Sequence, residues 1–261
     1  MTQDISTGRE HGHRSLSPGR PGPGESPGQQ HIGALVSALT VLDTRLLDDW
    51  GQRLAVTLLR GGRLLVAASG GSAAQAQHLA AEIAGRFAAG LLSASRAASS
   101  VIVLSAGDPA GVAAGRPAGE VSASDYWCEE VLARQVRAHG RPGDVLLAMS
   151  AAGSAPGAAS VSGSGSGSAP GRGRNLVRAV AAAKAGGIAA WCLTGPAPNP
   201  LADACDEAVC VYPAGARALS LTATVQEAHQ VALHLICLAF DGVTVPLQEA
   251  AGQDAGGPVP R

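Results

Sequence analysis

Aromatic side chains are scarce in this 261-residue chain, at 3% of residues, so its core has to be built from small aliphatics. The 46% hydrophobic content and 35 glycines fit a globular protein assembled that way. An excess of charge of either sign is also lacking. A formal net charge of −1 excludes the broad electrostatic surface that would draw nucleic acid or an anionic membrane. No uninterrupted apolar run approaches the roughly 20 residues needed to span a bilayer. The polar, Gly/Pro-rich start has no apolar h-region, so a secretory signal is not expected. Five cysteines (Cys128, Cys192, Cys205, Cys210 and Cys237) form no C-x-x-C pair, and three of them sit in apolar runs. Free, mostly buried thiols in a reducing, cytoplasmic setting are the expectation.

What is present alternates. Residues 1–30 hold prolines, glycines and scattered charge with little to bury, and read as a disordered tail in which His11 and His13 are poor metal candidates. From 31 to 60 apolar residues recur at helical spacing, from Ile32, Leu35, Val36 and Leu39 to Trp50, Leu54 and Leu58. The pattern predicts one or two amphipathic helices able to pack on a core or on a partner chain. Residues 64–69 read as a first buried strand, followed by Gly70-Gly71-Ser72 and a helix as far as Phe87. Further strands are expected at 99–104, 145–150, 188–193 and 208–212, and helices after Asp125, over 175–185 and over about 222–240. Between the second strand and the helix after Asp125, a Gly/Ala loop carries Asp108 and Arg116. Residues 151–173 are a low-complexity Ser/Gly insertion, and 244–261 read as a C-terminal tail. Apolar strands alternating with helices mean a parallel α/β sheet occupying 31–243, with ligands expected at the carboxyl ends of its strands. Gly70-Gly71-Ser72, Asp108 and Ser150 fall at such ends.

Two helices carry polar groups that need explaining. His78 and Glu82 are four residues apart and share a face, with Arg86 one turn further on. In the last helix Gln226, His229 or Gln230, and His234 lie among Val225, Val231, Leu233, Leu235 and Ile236. Buried polar groups need partners. One reading makes His78 and Glu82 a surface pair and His234 a satisfied core histidine. The other brings Glu82 and His234 together as base and acid, with His78 and Gln226 completing a set of N and O donors suited to zinc.

The stretches GGSAAQAQHLAAEIAGRF (70–87), DYWCEEVLARQVRAHGRPGDVLLAMS (125–150), LTGPAPNPLADACDEAVCV (193–211) and TATVQEAHQVALHLI (222–236) resemble sugar isomerase (SIS) domain proteins, and among them the phosphoheptose isomerases. The resemblance covers about 31–240 in unbroken order. It implies a flavodoxin-like three-layer α/β/α sandwich with a five-stranded parallel sheet preceded by N-terminal helices. It also implies aldose–ketose isomerisation of sedoheptulose 7-phosphate to a heptose 7-phosphate through an enediol. Glu82 and His234 correspond to the family's catalytic pair. His78, Glu82, Gln226 and His234 correspond to ligands of one zinc per subunit. Ser69, Gly70, Gly71, Ser72, Arg86, Ser124, Asp125, Ser150, Glu82 and Gln226 stand at substrate-binding positions, and His229 at a packing or interface position. A homotetramer with active sites at subunit interfaces is implied, and neither nucleic acid nor membrane.

The phosphate loop departs from the family pattern. After Ser150 come Ala151-Ala152-Gly153-Ser154-Ala155, which keep the first serine and the glycine but lose three hydroxyls. Arg172 and Arg174 are candidates to compensate. That departure keeps open a second class of function, a non-catalytic SIS protein that binds a sugar phosphate or a partner protein.

Overall fold

A computed structural model describes residues 26–68, 70–85, 100–104, 123–151, 174–216 and 221–254, including side chains outside 123–128 and 246–254. Helix α1 (Pro27–Thr40) begins inside the segment expected to be a disordered tail to residue 30, because its start is chemically specified. Ser26 Oγ accepts from the Gln29 amide at 3.3 Å, Gln29 Oε1 accepts from the Ser26 amide at 2.9 Å, and Pro27 sits in the first turn. Helix α2 (Thr44–Leu59) is capped by Asp43 and buries Leu47, Trp50, Leu54 and Leu58. The 31–60 pattern is therefore two helices.

Strands β1 (Arg63–Ala68), β2 (Ser100–Leu104), β3 (Val145–Ser150), β4 (Ala189–Thr194) and β5 (Glu207–Cys210) alternate with helices α3 (Ser72–Ala84), α4 (Ala123–His139), α5 (Arg174–Ala185) and the short α6 (Pro200–Ala204). All four pairings are parallel, in the order β2-β1-β3-β4-β5. This is the five-stranded flavodoxin-like order expected, and it reverses direction between β1 and β3. Period-two alternation sends each strand's side chains to two cores. Leu64, Val66, Val145, Leu147, Met149 and Leu193 join α2, α3 and the final helix α7 (Leu221–Asp254) on one face. Leu65, Ala67, Leu146, Ala148, Ala190 and Cys192 join α4, α5 and α6 on the other. The result is a three-layer α/β/α sandwich.

With few large residues available, the first core relies on close approach. A Cβ at Gly51 would strike the α7 backbone at Ile236 and the Ala239 side chain, so glycine there lets α2 lie against α7. Trp50 and Trp191 stack with centroids 5.1 Å apart, and Arg53 lies over Trp191 at 4.7 Å. Glu207 accepts from Trp50 Nε1 at 2.8 Å and from Arg53 Nη2 at 2.7 Å; Arg53, with Trp50 helping, holds its carboxyl below the usual range. Helix α7 outruns the expected 222–240. It runs on to Asp254 through residues assigned to the C-terminal tail, past Gly242 and Pro246 and through the helix formers Leu247, Gln248, Glu249 and Ala250. Over Leu221–Val245 it is also long and apolar enough, by length and composition, to cross a membrane. In the fold it instead packs on α1 and α2, with Val225, Leu233, Ile236 and Phe240 buried.

Asp144 ties the strand starts together. Its buried carboxylate accepts from the Arg63 amide at 2.9 Å and from the Arg141 amide at 2.8 Å, joining the head of β1 to the turn before β3. Asp144→Ala strips two amides of their acceptor and should lower unfolding free energy by about 2–4 kcal/mol, read from urea denaturation. Asp144→Asn, which keeps one acceptor oxygen, should lose less.

Candidate active site

The site forms where β1 and β3 end side by side, Ala68 pairing with Met149. Gly70 turns the chain out of β1 at φ +59°, in the left-handed region that favours glycine. Gly71 then caps α3; a Cβ there would meet the Gln226 carboxamide of α7 and push it aside. Gln75, one turn along α3, donates from Nε2 to the Gln226 carbonyl at 2.6 Å. Two further oxygens in this turn, Ser72 Oγ and Gln75 Oε1, are buried with no hydrogen-bond partner. Both residues are at most 9% exposed, and an unpaired oxygen in such a place costs roughly 1–3 kcal/mol unless something fills its valence.

Clamped in this way, the two polar helix faces meet. His78 Nε2 of α3 lies 3.0 Å from His234 Nε2 of α7, with the rings inclined at 60°. Glu82 Oε1 stands 3.6 Å from His78 Nε2, its side chain 23% exposed. The Gln230 carboxamide, one turn before His234, reaches the same His234 Nε2 at 3.2 Å. Two imidazole nitrogens converging beside a carboxylate have the donor chemistry of a zinc site, and to that extent the residues fit the ion. Among the described residues, no group of three or more His, Cys, Asp or Glu is drawn together closely enough to hold a metal. Gln226 has its carboxamide over Gly71.

Residues 29–161 match the SIS domain family. The chain is 45% identical to the phosphoheptose isomerase of Streptomyces coelicolor over 192 residues, which is 74% of this chain and 67% of that one. It is 34% identical to the phosphoheptose isomerase of Thiobacillus denitrificans over 209 residues, covering 77% of this chain and 85% of the relative. The chain belongs to the SIS domain family. Among solved structures, the phosphoheptose isomerase of Neisseria gonorrhoeae superposes with a TM-score of 0.56 at 27% identity, over 82% of this chain and 94% of that one. That of Francisella tularensis has a TM-score of 0.59 at 22% identity over the same shares, which bears on the fold.

The SIS architecture thus brings His78 and His234 together, sets Glu82 beside His78, and lays Gly71 and Gln226 against one another. Ser150 ends β3 at the same strand edge, and its carbonyl accepts from the Gly195 amide at 3.2 Å. Ser69 and Arg86 lie outside the described residues, as do Asp108, Arg116, Arg172 and the phosphate-loop residues after Ala151. Ser124 and Asp125 fall in the first turn of α4, whose side chains are likewise outside the described set. Arg174 lies 3.5 Å from Glu129, with its side chain 70% exposed. Among the described residues Cys192, Cys205, Cys210 and Cys237 are free; Cys192 and Cys237 are buried, and the adjacent Cys205 thiol pushes the Cys192 thiol far up. Sequence reasoning passed over Gln75 and His31. The imidazole of His31 pairs with Glu227 at 2.8 Å and meets Thr224 Oγ1 at 3.2 Å, pinning α1 to α7. Neither residue has a signal in sequence, since each matters through a partner some 150 positions away or more.

His229 has the packing role expected of it. It is fully buried, Nε2–H donates to the Thr194 carbonyl at 3.2 Å, and Nδ1 has no hydrogen-bond partner. Burial pushes its pKa down from 6.5 to about 4, so the folded protein keeps it neutral. The unfolded chain takes up a proton below pH 6.5 that the folded chain refuses until about pH 4. Stability supplied by the neutral ring is therefore complete above pH 6.5 and lost as pH falls toward 4, a change of roughly 3 kcal/mol. His229→Gln should flatten that part of the stability–pH curve, measured by thermal unfolding from pH 7.5 to 4.

Proposed function

We propose that the chain converts sedoheptulose 7-phosphate to a heptose 7-phosphate by proton transfer through an enediol. The observation that carries this reading is the meeting of His78 and His234 beside Glu82 at the reversal point of the sheet, in a chain 45% identical to a phosphoheptose isomerase. Glu82 takes the proton from C1 of the open-chain ketose and returns it to C2. His234 moves the accompanying proton between the two oxygens, so the carbonyl shifts from C2 to C1 with no net gain or loss. The amides at the Gly70-Gly71 turn, at the start of α3, offer donors for sugar hydroxyls. His78, Glu82, Gln226 and His234 are the residues that would hold one zinc per subunit, whose contribution when bound is Lewis-acid polarisation of the sugar carbonyl. Two imidazoles with converging Nε2 atoms favour an enzyme over a non-catalytic sugar-phosphate binder, which needs no such pair.

The working form is a homotetramer in the cytoplasm. Ile32 and Val36 stand 62% and 57% exposed on the face of α1 turned away from its buried Ala34 and Ala38, with Val231 and Leu238 exposed on α7. A second copy of the same chain is the partner that would cover these apolar faces. Free thiols suit a reducing compartment.

Purified protein should turn over sedoheptulose 7-phosphate, and Glu82→Gln should cut kcat by at least about 100-fold while leaving the melting temperature close to wild type. A folded wild type inactive both with and without added zinc would sink the assignment. Ile32→Glu with Val36→Glu should reduce the particle mass seen by light scattering below four subunits. Retention of the tetramer by that double variant would place the interface elsewhere.

A further inference from the structure

We infer that Gln230 is a member of the reaction centre, a residue whose carboxamide occupies the meeting point of His78 and His234. This rests on the isomerase reading and adds a group to its site. Gln226, Gln230 and His234 follow one another at four-residue steps, so all three project from one face of α7. The first of them is engaged with α3: the Gln226 carboxamide lies over Gly71, and its carbonyl accepts from Gln75 at 2.6 Å. The second is not drawn off in that direction. Half-buried Gln230 brings Nε2 to 3.2 Å from His234 Nε2, the atom that also lies 3.0 Å from His78 Nε2.

An imidazole nitrogen has one in-plane valence, either a lone pair or an N–H. His234 Nε2 therefore cannot satisfy both neighbours well at once, and three polar groups are left crowding one point. A cation, or a substrate hydroxyl, at that point would meet all three. The carboxamide is suited to either occupant: a half-turn about its terminal bond exchanges the Nε2 donor for the Oε1 acceptor, which is also a metal-ligand oxygen. The geometry thus assigns Gln230 the part of the amide group nearest His234, one helical turn closer to it than Gln226. Its contact with His234 makes it a positioning residue for that ring in the free protein and a ligand-facing group once the centre is filled.

The test uses the full chain and reads zinc affinity by chelator competition alongside kcat and KM for sedoheptulose 7-phosphate. Gln230→Leu keeps the size and removes both polar atoms. It should weaken zinc binding by about 10- to 100-fold and lower kcat by about 10-fold, with KM and the melting temperature close to wild type. Gln230→Glu, which restores an oxygen at the same reach, should recover zinc affinity. Wild-type zinc affinity and kcat in Gln230→Leu would overturn the inference, as would a fall in melting temperature with neither of them changed. Should the wild type bind zinc yet fail to isomerise the sugar, the isomerase reading falls and the affinity ratio alone decides Gln230. Should it isomerise without binding zinc, the kcat ratio decides. A wild type that does neither overturns both.

Discussion

The approach of α7 to α3 governs everything chemical in this protein. Two helices distant in sequence are brought close enough for one to lay a carboxamide against the other's capping glycine. The Gln75 side chain then closes on the Gln226 carbonyl at 2.6 Å. That fixes the axial register of α7 on α3, and the register decides which groups meet one and two turns on. A shift of a single residue along α7 would move its side chains by 1.5 Å and rotate them by about 100°, taking His234 away from His78. Gly71 leaves the room that the Gln226 carboxamide occupies.

That approach is itself a consequence of the sheet. Because β1 to β5 are all parallel, each connection must return over a face of the sheet, and both faces are covered. The order β2-β1-β3-β4-β5 sends the chain one way from β1 to β2 and the other way from β3 onward, opening a crevice at the carboxyl ends of β1 and β3. Helix α3 starts at that crevice, and α7 crosses the same face over it. The buried, neutral His229 belongs to this scaffold. Its hydrogen bond to the Thr194 carbonyl ties α7 to the end of β4, five residues before His234 in the chain. The same α7 therefore holds a histidine kept uncharged by burial and a histidine half open to the site, and their environments set different tasks.

Small side chains make the close approaches affordable. With aromatics at 3% of the chain, helices pack through alanine and glycine, as at Gly51 against α7 and Ala34 and Ala38 beneath α1. Two of the three tryptophans form one stack, Trp50 on Trp191, next to the Glu207–Arg53 pair at the far strand. Apolar residues that do not fit this packing, such as Ile32 and Val36, stay exposed on α1.

Much of the architecture was legible in the chain itself. Strand β3 was read to its observed ends because Val145 to Met149 is apolar on both faces and bounded by a Pro-Gly turn. The order of elements followed from hydrophobic period, and the phosphoheptose isomerase likeness from four stretches between residues 70 and 236, the two polar helices most specifically. The helix ends were misjudged. A local capping box at Ser26 was outweighed by Gly/Pro composition, and Gly242 and Pro246, which read as stop signals, do not end α7. What the sequence alone determined was which residues share a face, since spacing fixes that for any helix. Which faces meet was decided only by tertiary structure. The Gln75–Gln226 bond, the convergence of His78 with His234 and the arrival of Gln230 at the same nitrogen depend on how two helices cross over a parallel sheet, a long-range packing outcome that no local pattern encodes.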